Sequence, residues 1–238
     1  MPHSCFKRSP DTIPRDPGVS TAPVPDYRLQ MRRHDATPGI GVLRDFLTEA
    51  NSDVARLTRQ ICERLSRAGA VVEEVSAPPS YALAQGLHWV ILCAEIAAYH
   101  EQHHRRQAGL YSEQLRRRME AGFLTPAASY LQAQRHRSVL KREIEALASE
   151  WDVLLTPSTP SAAPGDHTTT CSAAFQNAWS STGLPSMTLP SGLAIAGGLP
   201  LGIHLVSVPF TEGRLLGAAR WCERVLDFQG IPAIAQSH

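Results

Sequence analysis

Three features of the sequence predict an α/β layered domain. Short apolar runs of strand length recur at residues 40–43, 70–75, 153–155, 187–189 and 203–208. Between the first two, Val54, Leu57, Ile61 and Leu65 repeat at helical spacing, so strand, helix and strand follow at the length of a βαβ unit with parallel strands and a right-handed crossover. Residues 81–149 then read as helix almost throughout, which gives the sheet a layer to pack against.

Taken in order, residues 1–38 carry six prolines between Pro10 and Pro38 with Asp11, Asp16, Asp26 and a basic Arg32-Arg33-His34, and no periodicity. That composition predicts a proline-rich linker or extended arm over 1–38, with the folded domain spanning 39–238. Residues 40–43 form the first strand, and Asn51 or Ser52 caps the helix that ends at Gly69. A second strand over 70–75 closes at Pro78-Pro79. Leu83, Leu87, Val90, Ile91, Ala94, Ala97 and Ala98 give the next helix a broad apolar face. Residues 111–121 form a short, very basic helix, and Thr125-Pro126 starts a third.

The run Val153-Leu154-Leu155 stops at Pro157, with Pro160 and Pro164 beyond it, so a buried strand runs into a stiff, extended loop. Gly183-Leu184-Pro185, Pro190-Ser191-Gly192 and Gly197-Gly198-Leu199-Pro200 then punctuate short strands, and the whole stretch reads as a fixed scaffold of loops. A final helix over 211–226 carries Leu215, Leu216, Ala219, Trp221, Cys222 and Val225.

The composition is that of a soluble globular protein, with 43% hydrophobic and 19% charged residues. A net charge of +1 gives no basis for a nucleic acid or an anionic membrane as partner. No apolar run approaches the length of a membrane span, and residues 1–10 lack the apolar core of a signal peptide. Five scattered cysteines, Cys5, Cys62, Cys93, Cys171 and Cys222, with no C-x-x-C pair, point away from structural disulfides and towards a reducing cytoplasm. Lys7 and Lys141 are the only lysines, so a mechanism needing a buried lysine base has almost no candidates.

Three ordered segments, D-V-L-L-T-P-S-T-P over 152–160, W-S-S-T-G-L-P-S-M-T-L-P-S-G over 179–192 and G-L-P-L-G-I-H-L-V over 198–206, resemble the C-terminal half of the amidase signature family. GIGVL, RLSRAGAVVEEV, AEIAAYH and YLQAQRHR extend the resemblance over nearly all of the chain from about Asp16. It implies an amidase-signature-like mixed sheet flanked by helices, here a partial domain. It also implies hydrolysis of carboxylic amides through a serine acyl-enzyme, with a small-molecule amide as substrate and no cofactor.

Family members use a lysine, a serine in a cis peptide and a nucleophilic serine in a Gly/Ser-rich segment, all upstream of the part matched here. A serine hydroxyl needs a base to become a nucleophile, and an oxyanion needs convergent N–H groups. No segment of this chain resembles that machinery, and there is no G-x-S-x-G. The catalytic residues assigned within this chain are therefore none. Two expectations follow: the chain comes from a truncated or split gene, or it pairs with a separately encoded N-terminal amidase half.

Two residues are candidate substrate contacts. Arg118 matches the arginine of an R-x-x-x-G helix that faces substrate in some members, and a guanidinium there can grip a carboxylate bidentately; within Arg116-Arg117-Arg118 it also reads as part of a solvated basic face. Trp179 occupies an aromatic position that either walls an acyl pocket or belongs to the core. Family asparagine is replaced by Ser180, and the acidic residue of glutamine-using amidotransferases by Ala173, which favours a general amidase. Ser158, Ser161, Ser181, Ser186 and Ser191 lie nearby without an obvious activating base.

The rival reading is His100-Glu101-x-x-His104, which satisfies H-E-x-x-H. On a helix both histidines share one face and can hold zinc, with Glu101 as general base and Glu113 or Glu120 as a third ligand. The alternative for the same residues is a histidine-rich helix end in solvent, in keeping with His103 and Arg105-Arg106. A non-catalytic binding module is the third reading.

Overall fold

The structure is a computed structural model and describes residues 23–165, 172–195 and 197–230. Lys7, Cys5, Cys171 and the arm before Pro23 lie outside the described residues. Helix α1 (Tyr27–Arg33) precedes β1 (Gly39–Leu43), α2 (Arg44–Glu49), α3 (Ser52–Arg67) and β2 (Val71–Val75). A long helical region follows: α4 (Ala84–Gln107), α5 (Glu113–Phe123) and α6 (Ala127–Ser149). The chain closes with β3 (Val153–Pro157), α7 (Ala174–Thr182), β4 (Ser186–Leu193), β5 (Pro200–Val206) and α8 (Glu212–Leu226).

The five strands form one mixed sheet in the order β2-β1-β3-β5-β4. β1 is parallel to β2 and to β3, as the strand–helix–strand reading requires, while β5 runs antiparallel to β3 and β4. Asn51 caps α3 by accepting the Val54 N–H at 2.9 Å, and Ser112 caps α5 by accepting that of Leu115 at 3.3 Å.

Strand alternation sorts the core into two layers. On one face Ile40, Val42, Val153, Leu155, Ile203 and Leu205 pack with Ile61 and Leu65 of α3 and Leu215, Trp221 and Cys222 of α8. On the other, Leu43, Leu154 and Val206 pack with Leu87 and Ile91 of α4, Leu140 and Ile144 of α6, and Phe175 and Trp179 of α7. The mixed sheet flanked by helices is the architecture that the sequence predicts.

The structure departs from the sequence reading in several places, beginning with α2, a helix the sequence reading does not contain. Residues 27–33, within the stretch read as linker or extended arm, form α1, capped by the Asp26 carboxylate accepting the N–H groups of Arg28 and Leu29 at 3.0 and 3.1 Å. It settles on α8 where Gly213 and Gly217 allow contact; a methyl at Gly217 would lie 2.5 Å from the His34 carbonyl oxygen. The segment read as loops contains α7, ended by left-handed Gly183 (φ 70°). Its Ser-Ser-Thr end has poor helix propensity, and burial of Phe175, Ala178 and Trp179 overrides it. Finally, the helical stretch Pro79–Leu110 is long and apolar enough to cross a membrane by length and composition, whereas the sequence reading finds no such run. In the fold its α4 packs on α5, α6 and α7.

Candidate functional site

Along β3 and β5 one face of the sheet stays apolar, and the other does not. Beyond the Leu154–Val206 pair, the next partners on the α7 side are Thr156 and His204, and then Ser158 beside Gly202. Gly202 brings the strands close enough that a methyl there would lie 3.0 Å from Ser158 Oγ. The indole of Trp179 meets the His204 ring edge-to-face, with ring centroids 6.3 Å apart. Thr156, Trp179 and His204 are buried at 0%, 3% and 4% exposure.

Thr156 Oγ1, Ser158 Oγ, Trp179 Nε1 and His204 Nδ1 have no hydrogen-bond partner among the described residues. A buried polar group without a partner costs about 1–3 kcal/mol, so four such atoms close together on one shelf form the least satisfied polar cluster of the sheet and the candidate site of this chain. Burial holds the His204 pKa down to about 4, so its imidazole is neutral at neutral pH. The shelf therefore offers hydroxyls, an indole N–H and a neutral imidazole, and no charge. That set matches a neutral ligand with both donor and acceptor, such as a carboxamide. At the β4 side the shelf reaches exposed Thr188, opposite His204 in the ladder.

The proline-stiffened segment after β3 begins at Ser158 and is tied down by hydrogen bonds to α7 and to Asn51. Gln176 of α7 donates its Nε2–H to the Ser158 carbonyl at 2.6 Å, and Asn51 donates its backbone N–H to that of Pro160 at 2.8 Å. Both contacts fix a loop that makes few bonds of its own. Ala173 stands at the N-cap of α7 with no side-chain cap, and Ser172 Oγ accepts the Ala174 N–H at 3.2 Å instead.

The sequence-predicted residues fall in different places. Trp179 belongs to the core, stacked on Phe46 with centroids 5.6 Å apart, yet its indole edge reaches the shelf. Arg118 lies on α5 with its guanidinium 5.8 Å from the Trp89 ring centroid, lining a cavity with Trp89, Glu113, Gln114 and Arg117. Trp179 does not line that cavity. Sequence reasoning does not bring His204, Thr156 and Ser158 together; the signal is present as polar residues at alternate positions in two otherwise apolar strands.

Ser181 and His88 do form a serine–histidine pair, Oγ to Nδ1 at 3.0 Å. Ser181 is buried within α7, and Arg137 donates Nε–H to its carbonyl at 2.5 Å. Burial and the Arg137 charge lower the His88 pKa, opposing the imidazolium that a general base must become. The pair ties α4 to α7. The thiols of Cys62 and Cys222 are pushed up to about 12 by burial and are no nucleophiles.

The H-E-x-x-H residues are engaged otherwise. His100 Nδ1 lies 3.1 Å from the Tyr111 hydroxyl, Glu101 pairs with Arg105 at 2.6 Å, and His104 packs against Tyr111 and Phe123. Glu113 pairs with Arg117, and among the described residues no three His, Cys, Asp or Glu side chains converge as metal ligands.

The family model for amidase matches residues 5–216. The chain belongs to the amidase family. Among curated amidase-family proteins, the A subunit of glutamyl-tRNA(Gln) amidotransferase from Methylorubrum populi is 32% identical, over 92% of this chain and 51% of its own length. Its counterpart in Pseudomonas savastanoi pv. phaseolicola is 29% identical, over 90% and 51%. Among solved structures, a chain from a vestigial protein complex that bears on the origins of an s-triazine catabolic enzyme superposes with TM-score 0.79 at 26% identity, over 91% of this chain and 49% of that one. The 6-aminohexanoate cyclic dimer hydrolase, bound to its substrate, shares the fold at TM-score 0.72 and 18% identity, over 90% and 50%. This chain thus spans about half the length of the amidase-family relatives it matches.

Proposed function

We propose that this chain is the substrate-side half of an amidase. The complete enzyme hydrolyses a carboxylic amide through a serine acyl-enzyme, with nucleophile and base supplied by the complementing half. The observation that carries this reading is the uncharged shelf of Thr156, Ser158, Trp179 and His204, whose unfilled hydrogen bonds suit a carboxamide, in a chain of the amidase family. Trp179 and the loop after Pro157 shape the pocket. Arg118, beside Trp89, is a more distant contact for an acidic or polar part of the substrate. The dispersed cysteines support a cytoplasmic setting.

An assay of the purified chain on a panel of aryl and alkyl amides tests the division of labour. We expect no turnover from the chain alone. Amide hydrolysis should appear when the unmatched half of the Methylorubrum populi relative is added as a separate polypeptide, with a serine-acylating probe labelling that added half. Turnover by the chain alone, lost on treatment with the same probe, overturns the proposal.

A further inference from the structure

Among the described residues the sheet has two edge strands, β2 and β4, and they are built differently. β2 carries Glu73 and Glu74, charges of the kind that discourage strand addition. β4 has no charged residue in its eight. The register shows which backbone groups β4 leaves free. Ser158 N–H donates to Gly202 C=O at 2.9 Å and Ser207 N–H to Pro185 C=O at 3.1 Å. Gly202 and His204 therefore turn their amide groups to β3, and Ile203 and Leu205 turn theirs to Leu189 and Met187 of β4. Ser186 and Thr188 present theirs outward, and Pro190, which lacks an N–H, stands in the same row.

The flanks of that edge call for different side chains. Towards α8 lies a cavity of about 490 Å³ lined by apolar residues such as Met31, Met187 and Leu189 and, among its charged residues, by Arg32, Arg220 and the single carboxylate Glu223, so that arginines outnumber acids there. Towards α7 lies the shelf with its unfilled hydrogen bonds. A strand laid along β4 would alternate apolar and polar residues, one set entering the cavity and the other facing the shelf.

We propose that β4 is the docking edge for the complementing amidase half, which adds a strand beside Ser186 and Thr188 and places an acidic residue near Arg32 and Arg220. This rests on the reading of the chain as half an amidase. The relatives' chains are about twice as long as the part matched here, and on that reading the remainder is the body that meets this edge. β4 is the uncharged edge with both an apolar cavity and an unfilled polar shelf beside it.

The test measures binding of the unmatched half of the Methylorubrum populi relative by sedimentation or titration calorimetry. Thr188→Pro removes an outward N–H and leaves the hydrogen bonds to β5 in place, so the variant should keep its circular dichroism while binding weakens about tenfold or more. Thr188→Lys, which leaves the backbone intact and charges the edge, should weaken binding as well, and Val71→Lys on β2 should not. If the wild-type chain fails to bind, the half-amidase reading falls and the docking edge with it. If the wild type binds and both Thr188 variants bind equally well, the docking edge is overturned while the half-amidase reading stands. Dimers of the chain alone that Thr188→Lys disperses would make a second copy the occupant, and would also overturn it.

Discussion

His204 carries the clearest pH signature at the scale of single residues. Its folded pKa of about 4 lies below the ordinary 6.5 because the buried imidazolium is poorly solvated. As pH falls through 6.5 the unfolded chain takes up this proton and the folded chain does not, so its contribution to stability is present above 6.5 and is lost between 6.5 and 4. The full loss is about 3 kcal/mol, from the size of the shift. Denaturant titrations across that range should show His204→Gln with a shallower decline than the wild type; parallel curves would mean that the imidazole is not buried neutral. Trp179 separates packing from recognition. Trp179→Ala should cost about 3–5 kcal/mol, and Trp179→Phe, which preserves stacking on Phe46, under about 1.5 kcal/mol. In the complemented enzyme, however, Trp179→Phe should raise KM for the amide by removing the indole N–H from the shelf. Equal KM values would leave Trp179 a core residue only.

Contact between elements depends on where side chains are missing. Helix α5 lies so close to α4 that a methyl at Gly122 would sit 2.0 Å from the Cys93 carbonyl oxygen, which is backbone and cannot turn aside. Gly122→Ala should therefore force the helices apart, at a cost of about 2 kcal/mol or more. Gly86, also helical, has open space where its methyl would go, and Gly86→Ala should stabilise by about 0.5–1 kcal/mol. Thermal unfolding of the two variants should move in opposite directions. Movement of both midpoints upward would show that α4 and α5 are not in such close contact. The α4–α5 arrangement also sets Arg118 over Trp89, so Gly122→Ala should disturb that pair as well.

At the scale of the whole molecule, the half-length match and the two unlike sheet edges belong together. Under the proposed docking, the buried polar shelf and the uncharged edge strand beside it both face the complementing half. The absence of amide turnover by the chain alone, its appearance on complementation and its dependence on Thr188 are the outcomes expected at this scale. Mass action adds one more: binding of the complementing half should raise the unfolding midpoint in proportion to the logarithm of its concentration.

Much of the fold is legible in the sequence because local signals agree with one another. The βαβ unit is readable from strand-length runs around a helical repeat capped by Asn51, and the stop of β3 from Pro157, Pro160 and Pro164. Helices α2 and α7 are not, because short segments such as Ser180-Ser181-Thr182 are helical only through the burial of their neighbours, and α1 is not because it rests on the Asp26 cap and on contact with the distant α8. The family, too, is carried by the sequence in three ordered motifs. The candidate site was decided by tertiary structure alone. Thr156 and His204 are 48 positions apart and meet only when β5 lies antiparallel to β3, and Trp179 reaches them only because α7 forms. Side-chain type and spacing belong to one dimension, whereas an unfilled buried hydrogen bond is defined by what surrounds it in three.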